Sequence, residues 1–437
     1  MNEYEQMTRE LIRFIEKSPS SYHVIENFAS LLKEHGFEAL SENDGWELFP
    51  GHDYFVTRGQ SSLIAFRVPE QAFENFQITA AHSDSPTFRI KENPEISVQS
   101  RYVQLNVEKY GGMLCAPWFD RPLSVAGRAM VRCGNVLESR LVNFDRDLCM
   151  IPSLAIHMNR EANSGTDYKI QRDLLPLIGA EGSEGSFLSM IAEQLKVPEN
   201  DILSYDLSLY NRVPGTIWGI RNEFFSCGKL DDLMCAWSAV TALMDGVNDR
   251  SICVAAIFDN EEVGSRTMQG ADSTYLSDTL ERISICLGKN HQEHLMAIAS
   301  SFMISADNAH AVHPHFPEKS DPTNRPGMNH GPVIKFNAAQ KYTSTAASAA
   351  LFREICAAAG VPCQTFVNHS DMPGGSTLGN LANAHVSLHT VDIGMAQLAM
   401  HSPYETAGIK DTLYLVQALV TFYRTHVDCR DDAFTIG

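Results

Sequence analysis

Residues 253–265 read CVAAIFDNEEVGS, an apolar run that turns acidic without a spacer. Cys253 to Phe258 are apolar, and Asp259, Asn260, Glu261 and Glu262 follow at once. An apolar run of this length, bounded by polar turn residues, predicts a strand buried on both faces, as inside an α/β sheet. Two adjacent carboxylates at the end of such a strand repel each other. The stretch therefore predicts either a proton held on one of them or a cation beside both.

Working outward, the same texture recurs on either side. SSLIAFRV (61–68) and FQITAAHSDSP (76–86) read as strands, the second ending in polar residues. HLMAIASSFMISADNAH (294–310) holds an apolar lead-in and then a strand that ends at Asp307, and VSLHTVDIG (386–394) is a further buried strand. Met7, Leu11, Ile12 and Ile15 repeat at helical spacing within 4–16, and Ser18-Pro19-Ser20-Ser21 caps a second helix running to about Lys33. DDLMCAWSAVTALMDG (231–246) and STAASAALFREICAAAG (344–360) are helical, the latter with a glycine stop. Between about 93 and 223 the pattern changes. YVQLNVEKY (102–110) and ILSYDLSLY (202–210) alternate, 128–144 reads as two strands around a Gly134-Asn135 turn, and GAEGSEGS (179–186) reads as a loop. The expected architecture is an α/β domain made of 1–92 and 224–437, interrupted by a β-rich insertion at 93–223.

The chain has 437 residues and a formal charge of −19, which argues against nucleic acid or an anionic membrane as partner. No apolar run approaches about 20 residues, so no membrane span is expected. The ten cysteines form no CxxC pair, and MNEYEQMTREL does not read as a secretory signal. A cytoplasmic protein with reduced cysteines is expected.

Ligand-type residues recur at element ends of the α/β part: His82 and Asp84 in AHSDSP, Asp231 and Asp232 in KLDDL, Glu261 and Glu262, Asp307 in SADNAH, and His401 in LAMHSP. Open α/β sheets bind ligands outside the carboxyl ends of their strands, so distant segments can converge there. Each residue has a plainer reading taken alone. His82 suits a hydrogen-bonded core histidine, Asp231 a helix cap, Asp307 an Asx turn, and His401 the surface. Taken together they make a mixed nitrogen–oxygen set suited to two Zn²⁺, Co²⁺ or Mn²⁺ ions about 3.5–4 Å apart. Cations also answer the opening question. One glutamate binds an ion and its neighbour serves as a base, because zinc lowers the pKa of coordinated water to about 7.

On these motifs, which occur in order from AHSDSP to LAMHSP, the sequence resembles the aspartyl aminopeptidase family of dinuclear zinc exopeptidases. The resemblance implies a zinc-exopeptidase fold, with helices on both faces of a mixed sheet, and an inserted domain used for dimerisation and oligomerisation. It also implies two Zn²⁺ per subunit. His82 and Asp307 would complete one ion's site, Glu262 and His401 the other's, and Asp231 would bridge both. Asp84 would orient His82, and Glu261 would be the general base. His310, Lys335 in GPVIKFN and Tyr342 in QKYTS match substrate-contacting positions, with the Lys335 ammonium pairing with an acidic side chain. His157, in AIHMNR, matches a histidine that reaches a neighbouring subunit's site. The implied activity is release of amino-terminal Asp or Glu from peptides by a homo-oligomer, commonly a dodecamer built from dimers. Two departures stand out: Asp231-Asp232 where the family has Asp-Asn, and Pro403-Tyr404-Glu405 where it continues with Arg-Glu. An aminopeptidase for neutral residues and a non-enzymatic, metal-stabilised scaffold are the rival expectations.

Overall fold

The computed structural model describes residues 2–372, 374–431 and 433–437. Its central feature is a nine-stranded mixed sheet. From edge to edge it runs Glu38–Leu40, Asp53–Arg58, Ser62–Arg67, Ser251–Phe258, Asn75–His82, Phe302–Ala306, His389–Gly394, Val333–Phe336 and Gln364–Val367. The four strands at its middle, Ser251–Phe258, Asn75–His82, Phe302–Ala306 and His389–Gly394, are mutually parallel. Their carboxyl ends therefore share one edge. Phe258 is paired with His82 and Ala306 with Ile393.

All eight residues of Ser251–Phe258 are buried, as an apolar run between two helix layers requires. Cys253, Ala255 and Ile257 join a core built with the helices Glu3–Lys17, Ser21–Glu34, Leu230–Asp245, Ala346–Ala358 and Asp411–Arg424. Ile252, Val254, Ala256 and Phe258 face the other core, with Tyr275–Cys286, His291–Ala299 and Leu378–Ala382. The period-2 alternation thus divides one strand between two cores. The α/β fold with helices on both faces is as the sequence predicts. No helix among the described residues is long and apolar enough to cross a membrane.

A six-stranded antiparallel sheet forms the second unit, in the order Val136–Asn143, Leu123–Cys133, Ile202–Asn211, Thr87–Val98, Tyr102–Tyr110, Leu177–Ala180. Cys133 pairs with Val136 across the Gly134-Asn135 turn. The limits of this unit differ from 93–223. Thr87–Val98 enters the sheet before residue 93, because its first residues already alternate between buried and outward positions. At the other end, Thr216–Trp218 pairs with Phe224–Cys227, which in turn pairs with Glu405–Gly408 in a third sheet beside the site. By sheet membership the antiparallel unit spans 87–211.

Candidate metal centre

The parallel strand ends carry the chemistry. Asn75–His82 delivers His82 at its last position, and Phe302–Ala306 ends one residue before Asp307. Ser251–Phe258 opens into a turn in which Asn260 takes φ +62°, a left-handed geometry that Asn tolerates, and a single 3-10 turn then presents Glu261 and Glu262. Gly394 closes the neighbouring strand where Asp307 passes. A Cβ there would lie 1.9 Å from the Asp307 carbonyl oxygen, so only glycine fits. Asp231 and Asp232 precede the regular part of their helix, with non-helical backbone at both residues.

These segments meet. His82, Asp231, Asp232 and Asp307 offer ligand atoms within 4.8 Å of one another, as do Asp231, Glu262 and His401, and also His82, Glu261 and Glu262. Asp231 belongs to two of these groups. Its Oδ1 lies 3.7 Å from His82 Nε2, and its Oδ2 lies 3.3 Å from His401 Nε2. His401 Nε2 is also 3.4 Å from Glu262 Oε2. His82 Nδ1 sits 3.2 Å from Asp84 Oδ1, which leaves Nε2 for the cluster. The Asp84 carboxylate also accepts the amide N–H groups of Glu261 at 3.1 Å and Glu262 at 3.2 Å, and the Tyr110 hydroxyl at 2.6 Å.

The cluster holds more negative charge than its own cations neutralise. Burial, then the carboxylates of Asp307, Asp84 and Asp231, push the Glu261 carboxyl up to about 8 against the opposing pull of His82. Burial and Asp231 push Glu262 up to about 11. Asp232 is raised well above its ordinary range by burial and then by Asp307 and Asp231, while Asp231 is lowered because His401 and His82 outweigh its burial. Burial opposes charge on His82, but hydrogen bonds to Asp231 and Asp84 raise its pKa well above the usual value. Asp231 Oδ1, Asp232 Oδ1 and Glu262 Oε1 are buried and have no hydrogen-bond partner among the described residues. Buried carboxylate oxygens of this kind need a partner, and a cation provides one. With two imidazoles and several carboxylates, the residues present fit zinc.

The remaining predicted residues divide. Lys335 is buried beside the cluster. Its ammonium donates to the carbonyls of Asp307 at 2.7 Å and Asn308 at 3.4 Å, lies 3.4 Å from Asp307 Oδ2, and sits 5.2 Å from the Tyr342 ring centre. Lys335 is thus anchored to Asp307, where the sequence reading has it facing a substrate. His310 keeps part of its surface exposed, but the protein crowded around its ring lowers its pKa, with Asp231 opposing and Lys335 and His401 adding to that effect. His157 is exposed in the antiparallel unit, and no hydrogen bond or ion pair among the described residues joins it to the cluster.

The structure adds two groups to those read from sequence. Tyr110 is one. Glu405 is the other: its Oε2 accepts the Asp231 N–H at 2.9 Å, and its Oε1 accepts the His401 N–H at 2.7 Å and Gln397 Nε2 at 3.3 Å. One buried carboxylate thereby fixes the backbone of both Asp231 and His401. Tyr404, where the resemblance leads one to expect arginine, donates to the Pro214 carbonyl at 2.7 Å. Glu405→Gln keeps the shape but turns an amide N–H toward one of those backbone donors. Zinc affinity should fall about 10–100-fold, measured by competition with a chromogenic chelator. Unchanged affinity would remove Glu405 from this role.

The model of the aminopeptidase I zinc metalloprotease (M18) family matches residues 14–423. The chain belongs to the M18 family of zinc aminopeptidases. It is 46% identical over 430 residues to a probable M18 family aminopeptidase 2 of Clostridium acetobutylicum, covering 97% of this chain and 99% of that one. The fold matches that of Ape4 in its cryo-EM complex with Nbr1, with a TM-score of 0.93 and 36% identity, covering 96% of this chain and 86% of that one. It also matches the S. cerevisiae mApe1 dodecamer, with a TM-score of 0.85 and 27% identity over 97% of each chain. An M18 aminopeptidase is a zinc-dependent hydrolase. The enzyme class expected from the motifs is thereby reached, and the scaffold alternative falls.

Proposed function

We propose that this M18 aminopeptidase binds two zinc ions per subunit and releases amino-terminal Asp or Glu from peptides. The observation that carries the reading is the pair of ligand groups sharing Asp231: His82 and Asp307 on one side, Glu262 and His401 on the other. Bound there, zinc would supply Lewis acidity toward the scissile carbonyl and lower the pKa of water. The chain's own residues do the rest. Asp84 holds His82 in the tautomer that leaves Nε2 free, and it clamps the amides of Glu261 and Glu262. Glu261 takes a proton from water and returns it to the leaving amine nitrogen.

Selectivity is assigned to Lys335, Tyr342 and His310. An ammonium has three protons. The two carbonyl contacts of Lys335 leave one for a substrate carboxylate once a cation draws off Asp307. Hydrolysis of Asp-, Glu- and Leu-amides tests this, with the acidic pair expected to be favoured. Lys335→Leu should depress acidic turnover selectively. An equal loss on all three would mean that Lys335 acts only through Asp307, and a preference for Leu would return the neutral-residue reading.

We further infer a cytoplasmic homo-oligomer. The peptidase domain comprises 1–92 and 224–437, and the insertion at 93–223, with the sheet limits given above, serves assembly. The mApe1 dodecamer supports a dodecamer built from dimers here. His157 reaching a neighbour's site is supported by its surroundings, since Leu154 (59%), Ile156 (48%) and Met158 (73%) are large apolar side chains left exposed in the single chain.

A further inference from the structure

We propose that Tyr110 is a positioning residue of the catalytic site, contributed by the antiparallel unit and acting through Asp84. The inference rests on the peptidase reading above and deepens it.

Tyr110 is the last residue of the strand Tyr102–Tyr110, whose partners all belong to the antiparallel sheet. Its hydroxyl nevertheless leaves that sheet. It donates its one proton to Asp84 Oδ2 at 2.6 Å and accepts from Asn260 Nδ2 at 2.9 Å. Both partners control the acidic turn. The Asp84 carboxylate accepts the amides of Glu261 and Glu262 and lies 3.2 Å from His82 Nδ1, which also meets the Asp84 backbone carbonyl at 3.1 Å, so this one residue bears on both the imidazole and the glutamate pair. Asn260 is the left-handed residue immediately before Glu261, and its Oδ1 accepts from Thr267 Oγ1 at 2.8 Å. The residue that follows the strand shows how closely the two units meet here. Gly111 has φ +76°, and a Cβ on it would lie 3.1 Å from the Glu262 Cβ.

A carboxylate that accepts three donors and faces an imidazole has little freedom to turn; remove the hydroxyl and Oδ2 keeps only the Glu262 amide. The tyrosine is therefore the strut by which the antiparallel sheet fixes where Glu261 and His82 point. A hydroxyl that merely glued the two units together would change stability alone. A hydroxyl that orients the site changes the chemistry and the ion affinity while substrate binding stays put.

The test is Tyr110→Phe in the assembled, zinc-loaded, full-length protein. Zinc affinity, from chelator competition, and kcat on an amide substrate should each fall about 10–100-fold, with KM held within about twofold. In an Asp84→Asn background, Tyr110→Phe should cost much less than in the wild type, because the path through Asp84 is weakened and only the contact with Asn260 is left to lose. Asn260→Asp keeps the left-handed turn and draws the phenol proton away from Asp84. It should reproduce the loss, and it serves in place of Tyr110→Phe should that variant not assemble. Wild-type kcat and zinc affinity in Tyr110→Phe, with only the melting temperature lowered, would overturn the proposal, and so would full additivity with Asp84→Asn. Zinc affinity is read without turnover, so a wild-type protein that cleaves no amide would sink the peptidase reading and leave Tyr110 still testable.

Discussion

Glu261→Gln should lower kcat about 10²–10⁴-fold, the usual contribution of a positioned general base, and leave zinc affinity unchanged. Glutamine has the same shape and cannot take a proton. The Glu261 backbone is fixed independently of its side chain, since its amide N–H is held by Asp84 at 3.1 Å. Glu261 groups with His82 and Glu262 but lies outside the two ligand groups that share Asp231, so on the proposed assignment the change removes basicity without removing a ligand. In the cation-free cluster this carboxyl is pushed up to about 8, chiefly by burial, so it would hold its proton at neutral pH. A nearby cation pulls it down and frees it to act as a base. The wild-type pH profile of kcat/KM should therefore fall on its acid side as Glu261 takes up a proton, and Glu261→Gln should lose that limb. Steady-state kinetics together with metal analysis decides between the outcomes. Full activity would remove Glu261 as the base, and loss of an ion would make it a ligand.

Much of this site was legible in the sequence because the fold places it where strands end. A buried parallel strand can finish in a polar residue only at the carboxyl edge, and His82, Asp307 and the Glu261-Glu262 pair all follow apolar runs. What the sequence hides is contact across units. Tyr110 reads as the last outward residue of an alternating strand, and alternation says which face a side chain takes but not which neighbour stands there. Glu405 is a single carboxylate four residues after His401. Its burial and its two amide partners exist only once Glu405–Gly408 pairs with Phe224–Cys227. Residue type alone leaves the Lys335 ammonium in solvent, the family resemblance turns it toward an acidic substrate, and its contact with Asp307 becomes visible only in the fold. Inside the strand Thr87–Val98, Pro94 and the charged residues around it interrupt the alternation, so the pattern does not reveal where the antiparallel sheet begins.

Removing the metal should destabilise the protein, and increasingly so as pH rises from about 5 to 8. Without a cation, burial above all pushes the Glu261 carboxyl up to about 8, Asp259 up to about 7 and Glu262 up to about 11. In the unfolded chain such groups titrate near 4. The folded, metal-free state therefore holds protons that the unfolded state releases, and stability is lost as pH climbs from the unfolded values toward the folded ones. His82 and His401, both raised by their carboxylate neighbours against the effect of burial, act in the same direction: their contribution is complete below the unfolded value and lost as pH rises through the folded one. Asp84 and Asp231 are lowered and act oppositely, but their contribution is already complete above about pH 4. Zinc replaces the protons with a charge that does not titrate, and its binding releases them. At a free concentration a hundredfold above Kd, each site adds about 2.7 kcal/mol. Melting temperatures of chelator-treated and zinc-loaded protein, taken across this range, check the prediction. The loaded curve should stay nearly level while the stripped one falls, so the gap between them widens with pH. If chelation leaves the melting temperature unchanged at pH 8, or the stripped protein gains stability as pH rises, these carboxylates do not need a cation to coexist.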